Sequence, residues 1–191
     1  MEREQREALE AELRRRFDAG DLHGTMEAAL AGYGSELYGF LVGLARDHDR
    51  AADVFGEVCE RLWRALPRFR WESSLRVWAY TVARHEFLRS LRTRSRERRE
   101  VPLSQASRVS AVVAQGRHTT PVYQRTDVKD AFAALRETLA PEDHMLLGLR
   151  LDRRMAWNEI ARVLEGNAPA LRKRYERLKD RLRASVVRAA G

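Results

Sequence analysis

Apolar residues along the 191-residue chain recur at helical spacing through most of its length. Leu37, Phe40, Leu41 and Leu44 fall at i, i+3, i+4 and i+7. Val54, Val58 and Leu62 repeat at i+4 with Phe55, Cys59 and Trp63 beside them. Leu75, Trp78, Ala79 and Val82 make a third stripe, and Val128, Phe132, Leu135 and Leu139 a fourth. Such a period buries one face of a helix. No stretch alternates between hairpin turn residues, so the pattern predicts an all-α protein. Pro67, Pro102, Pro121, Pro141 and Pro169 agree, because each lies between stripes or in a first helical turn. Trp78 and Tyr80 stand at i and i+2, which one helix face cannot hold together. Trp78 is therefore expected partly in the core and Tyr80 nearer the surface.

The period stops between Glu100 and about Thr126, where "VPLSQASRVSAVVAQGRHTTPVYQRT" mixes Ser, Gln, Thr, Gly and Pro with scattered Val. A connection of that length does not belong inside a compact domain. The expected organisation is two small helical domains, 1–98 and 127–191, joined by a flexible linker, 99–126.

Composition narrows the function. The chain is 44% hydrophobic and 34% charged, a soluble globular balance. Its net charge of +8 favours a polyanionic partner, with nucleic acid ahead of a membrane surface. A single cysteine, Cys59, excludes an internal disulfide and a cysteine-built zinc knuckle. His23, His48, His85, His118 and His144 are scattered without ligand spacing, so neither a metal, a cofactor nor a catalytic centre is expected. The opening "MEREQREALEAELRRR" is too charged for a signal peptide, and no run approaches the roughly 18 apolar residues of a spanning helix. The cytoplasm is the expected location.

The segment "MAWNEIARVLEGNAPALRKRYERLKDRLR", residues 155–183, reads as two helices about a short turn. Trp157, Ile160, Ala161 and Leu164 form the inner face of the first, Gly166 and Asn167 supply turn residues, and Leu171, Tyr175, Leu178 and Leu182 line the second. The remaining faces of the second helix are rich in Arg and Lys. A helix-turn-helix puts such a helix into the major groove; an ordinary helix pair with a solvated basic face has the same pattern.

Residues 50–99 carry the stronger signal. Asp53, Glu57 and Glu60 lie at i, i+4 and i+7 on one helix side, with no convergent histidine for acid–base work. The side suits a basic partner, or simply water. In "PRFRWESSL", Phe69 and Trp71 alternate with Arg68 and Arg70, a pattern that stacks unstacked bases and holds phosphates. The plainer reading has both rings capping the local core.

Taken together, "AADVFGEVCERLWRALPRFR" (51–70), "SLRVWAYTVARH" (74–85), residues 155–183 and "DAGD" (18–21) resemble the bacterial RNA polymerase sigma factors of the extracytoplasmic-function (ECF) group. The resemblance implies a region-two helical bundle and a region-four helix-turn-helix. Asp53, Glu57, Glu60 and Arg61 would meet core RNA polymerase at the β′ clamp coiled coil, with the β flap as a further contact. Arg68, Phe69, Arg70, Trp71, Glu72, Ser73, Trp78, His85 and Arg89 would meet melted minus-ten promoter DNA and a flipped base. Ala170, Arg172, Lys173, Glu176 and Arg177 would read the minus-thirty-five duplex. It implies transcription initiation without catalysis by this chain, and an anti-sigma factor as a further partner. A stand-alone helix-turn-helix regulator is the alternative.

The chain also departs from the family pattern. Gly56 stands where Gln is usual, Cys59 where Phe is usual, and His85 and Arg89 where Asn is common. Trp71 stands at a usual Gly and either lines or blocks the base pocket. Ala156 replaces a Ser N-cap, and Gly166 falls one place late.

Overall fold

The computed structural model describes residues 3–97 and 139–189. The chain divides into two compact units, Met1–Thr119 and Thr120–Gly191. Among the described residues every regular element is helical, as the periodicity predicts. The expected linker, 99–126, and three residues of the fourth stripe, Val128, Phe132 and Leu135, lie outside the described residues.

The first unit contains α1 (Arg3–Asp18), α2 (Leu22–Ala45), α3 (His48–Ala65) and α4 (Leu75–Glu97), with a 3-10 turn at Leu66–Arg68. Local chemistry fixes the corners. Asp21 caps α2 by accepting from the Gly24 N–H at 2.8 Å. Arg46 ends that helix in the left-handed region, and Asp47 caps α3 by accepting from the Asp49 and Arg50 amides at 3.0 and 3.1 Å. Those hydrogen bonds, the Arg50 amide first, hold the Asp47 carboxyl below its usual range.

Leu37, Phe40, Leu41, Val54, Phe55, Val58 and Leu62 are buried, so the first two stripes form most of the core they predict, while Leu44 and Cys59 are half-buried and Trp63 is exposed. Tyr80 corrects the sequence reading. It is fully buried, edge-on to Phe40 at 5.2 Å with the Arg76 guanidinium 5.4 Å from its ring, while Trp78 is half-buried. The reason is that α4 packs on α1, α2 and α3 at once, so most of its circumference is interior. Arg76 itself is held by both carboxylate oxygens of Glu36 at 2.6 and 3.2 Å, a geometry that satisfies a buried cation.

The second unit contains α5 (Pro141–Leu147), a π turn (Gly148–Asp152), α6 (Trp157–Val163) and α7 (Ala168–Ala189). Its core gathers Leu146, Leu149, Ile160, Val163, Leu171 and Leu178. Ala156 offers α6 no side-chain acceptor, but Glu159 reaches back to accept from the Ala156 N–H at 2.7 Å, half of a capping box. The turn differs from the sequence expectation in its working residue. Glu165, not Gly166, takes the left-handed conformation, with φ at 53°. The Gly166 N–H then donates to the Ala161 carbonyl at 2.8 Å and closes α6 as a Schellman motif. Gly166 serves space instead: a Cβ there would stand 3.2 Å from the Leu171 side chain. Asn167 then caps α7, accepting from the Ala170 N–H at 3.2 Å.

Candidate nucleic-acid interface

The loop between α3 and α4 is anchored at both ends. The Phe69 N–H donates to the Leu66 carbonyl at 2.9 Å. At the far end Ser74 Oγ accepts from the Val77 N–H at 3.2 Å. Glu10 of α1 accepts from the Leu75 and Arg76 N–H groups at 2.8 and 2.9 Å, across 65 and 66 residues of sequence. Three of the four amides that a helix start leaves unpaired are thereby used. Glu10 also accepts from Tyr33 Oη at 2.8 Å, and burial together with that carboxylate pushes the Tyr33 phenol far above its usual range.

Phe69 stacks on Trp78 with centroids 4.6 Å apart and planes at 21°. Trp71 tilts against Phe69 at 5.0 Å and meets Phe17 of α1 edge-on at 5.6 Å. The Arg14 guanidinium lies 5.1 Å from the Trp71 ring. Trp71 has φ at 57°, the left-handed region that a bulky residue enters at a cost of order 1–3 kcal/mol. A glycine carries no such strain, which gives a physical reason for glycine at this place in the resembling family. The Trp71 Nε1 is buried and has no hydrogen-bond partner among the described residues.

Arg68, Arg70 and Glu72 are exposed around this cluster, and Ser73 Oγ donates to the Ser74 carbonyl at 3.2 Å. Beyond Trp78 the same face of α4 continues through half-buried Thr81 and Leu88 to exposed His85, Arg89 and Arg92. The loop and this face form one basic and aromatic surface. Arg89 is held 3.2 Å from one oxygen of Glu86, and Arg61 of α3 is 3.1 Å from the other. Glu86 is itself 6% exposed. Arg61 therefore turns toward α4, while Asp53, Glu57 and Glu60 stand exposed along α3, Glu60 paired with Arg64. Trp63 flanks this acidic side and is 48% exposed, with the His23 ring edge-on at 5.5 Å.

In the second unit Ala170, Arg172, Lys173, Glu176 and Arg177 are all exposed along α7. Leu171, Tyr175, Leu178 and Leu182 are buried beneath them. Arg174 is directed elsewhere: it pairs with Asp143 and Glu142 of α5, and Arg181 reaches Asp143 at 3.4 Å. Burial opposes the Arg174 charge, yet the hydrogen bond and charge of Asp143, with Glu142, hold its pKa above the usual value. Glu176 accepts from Lys179 Nζ at 2.7 Å.

Sequence reasoning missed Glu10, Arg14, Phe17, Glu86 and Asp143. Each acts across sequence distance or sits in a highly charged helix, where one more charged residue carries no signal. Among the described residues no three His, Cys, Asp or Glu side chains gather as a metal site. Burial pushes the half-buried Cys59 thiol up to about 11, which removes it as a nucleophile at neutral pH. Among the described residues no helix is long and apolar enough to cross a membrane.

Residues 30–97 match the family model described as Sigma-70 region 2. This segment contains the acidic side of α3, the aromatic loop and α4, so the resemblance to sigma factors read from these residues stands. The fold is similar to that of the sigma factor RpoE, solved in complex with the anti-sigma factor NepR from Bartonella quintana. The TM-score is 0.63 and the identity 20%, covering 84% of this chain and 95% of that one. No curated protein matches the chain.

Proposed function

We propose that this chain is an ECF-type sigma factor, which binds core RNA polymerase and directs promoter recognition and transcription initiation. The observation that carries the reading is the Sigma-70 region 2 match over 30–97, the segment holding both an exposed acidic helix side and a basic, aromatic surface. Asp53, Glu57 and Glu60 form the polymerase-facing side, against the β′ clamp coiled coil, with Arg61 at its edge. Arg68, Phe69, Arg70, Glu72, Ser73, Trp78, His85 and Arg89 engage melted minus-ten DNA, where stacking suits rings and cations suit phosphates, and Trp71 stands at the base pocket, either lining or blocking it. Ala170, Arg172, Lys173, Glu176 and Arg177 read the minus-thirty-five duplex in the major groove. The domains are 1–98 and 127–191, with 99–126 the linker between them. Two modest DNA contacts on one chain gain specificity when polymerase holds both in place, because tethering raises effective concentration. The chain works in the cytoplasm, adds no catalytic group or cofactor to the polymerase, and is held in check by an anti-sigma factor, as its structural relative is bound by one.

Gel filtration with core RNA polymerase tests the reading. The sigma reading expects co-elution with core enzyme and little stable complex with duplex DNA alone. Dimeric binding to duplex DNA without polymerase supports a stand-alone helix-turn-helix regulator instead.

A further inference from the structure

The loop between α3 and α4 holds three features that no packing need accounts for together. Trp71 sits in the left-handed backbone region. Its indole N–H is buried without a hydrogen-bond partner among the described residues. The ring nevertheless fills a slot of aromatic and cationic groups, with Arg14 5.1 Å from its centroid, Phe69 tilted at 5.0 Å and Phe17 edge-on at 5.6 Å. A side chain selected only to complete a core would not need a strained backbone and an unsatisfied donor. Arginine beside a π face and flanking aromatic rings are, however, what an unstacked nucleobase takes up. An indole has the bicyclic size of a purine.

We propose that Trp71 is a built-in plug: its indole occupies, in the free protein, a nucleobase slot walled by Arg14, Phe17 and Phe69. A base of single-stranded DNA displaces it. The displacement is opposed by the lost ring contacts of Trp71 and favoured by relief of its backbone strain and wetting of its N–H. The slot thus stays closed until a base is presented unpaired, which guards the free protein against indiscriminate single-strand binding. Two of the three walls come from α1, which lies outside the segment matched by the family model. The inference rests on the sigma-factor reading, because the strand would be presented by polymerase.

The test uses the full chain bound to core RNA polymerase and a fluorescein-labelled single-stranded DNA pool of random sequence, with core enzyme alone as baseline. If the wild-type chain adds no single-strand binding to core enzyme and Trp71→Gly adds none either, the plug fails, while the sigma-factor reading is decided separately by whether the chain co-elutes with core enzyme. If the wild-type chain adds binding, Trp71→Gly decides the plug separately. A plug predicts tighter binding by roughly fivefold or more, the equivalent of at least about 1 kcal/mol. In that background Phe17→Ala must weaken binding again, because the base now rests on Phe17. In the wild-type background, where the indole holds the slot, Phe17→Ala must not weaken it to the same extent. Circular dichroism melting of each variant separates a lost wall from lost folding. Unchanged or weaker binding by Trp71→Gly overturns the plug and makes Trp71 a stacking platform or a purely structural ring.

Discussion

Glu10→Ala probes the contact on which the loop geometry depends. One carboxylate accepts from the Leu75 N–H, the Arg76 N–H and Tyr33 Oη, at 2.8, 2.9 and 2.8 Å. Leu75, Arg76 and Tyr33 are 1%, 5% and 1% exposed, so water replaces these bonds poorly. Hydrogen bonds to a charged group are worth about 1.5–3 kcal/mol each, and a buried donor left unpaired costs about 1–3 kcal/mol. Three bonds converging on one group are not additive. Taking the low end, the substitution should destabilise the first unit by about 3 kcal/mol. Glu10→Gln keeps an acceptor oxygen but loses the charge that complements the α4 N-terminus, and should lose roughly half as much. Urea unfolding of the full chain gives the magnitude, and amide hydrogen exchange gives the location. The Leu75 and Arg76 amides should lose protection before other α4 amides do. A loss below about 1 kcal/mol with both amides still protected would refute the argument.

Other consequences are as specific. Asp53→Lys with Glu57→Lys should weaken binding to core polymerase while circular dichroism stays unchanged, because both side chains are exposed on α3; normal core binding in a pull-down would remove α3 as the docking side. Arg177→Ala should relax preference at one base pair of the minus-thirty-five element by about 1–3 kcal/mol. Arg183→Ala, which removes an exposed guanidinium 3.8 Å from Asp180, should weaken all sequences alike and flatten the salt dependence. A randomised-promoter selection separates the two, and an equal shift at every sequence for Arg177→Ala makes α7 a phosphate clamp. Burial holds the Cys59 thiol near 11, so at pH 8 the folded chain should react with a disulfide reagent at about a hundredth of the denatured rate or less. The rate should climb as pH rises toward that value, and equal rates at pH 8 would show Cys59 to be open.

The amphipathic helices were legible because burial follows a period. The inner face of α7 and most of the stripes of α2 and α3 come out buried as their spacing requires, with Trp63 the exposed exception among them. Tyr80 was misjudged because i, i+2 logic assumes one buried face, and α4 is enclosed on most sides. Helix α1 carries only a thin apolar stripe, Leu9, Leu13 and Phe17, hidden among many charges: Leu13 is fully buried, Phe17 meets Trp71 edge-on, and Glu10 and Arg14 act on distant backbone and rings. The left-handed backbone at Trp71 was visible only as a departure from glycine in a resembling family, since no local rule places a tryptophan there. Asp143 was hidden because a buried carboxylate is legible only through its partners, Arg174 and Arg181, which lie 31 and 38 residues away. In α7, by contrast, the set Ala170, Arg172, Lys173, Glu176 and Arg177, which the family resemblance implies, comes out exposed, with Leu171, Tyr175 and Leu178 buried on the other face.

The most direct test of the central claim is transcription from fragmented genomic DNA by purified core RNA polymerase, with and without this chain, followed by mapping of the transcript 5′ ends. The account predicts discrete start sites that appear only with the chain. Aligned on those starts, the templates should share two elements, near minus ten and minus thirty-five, the latter containing G and C for Arg177 and Glu176 to read. The same diffuse starts with and without the chain would contradict it.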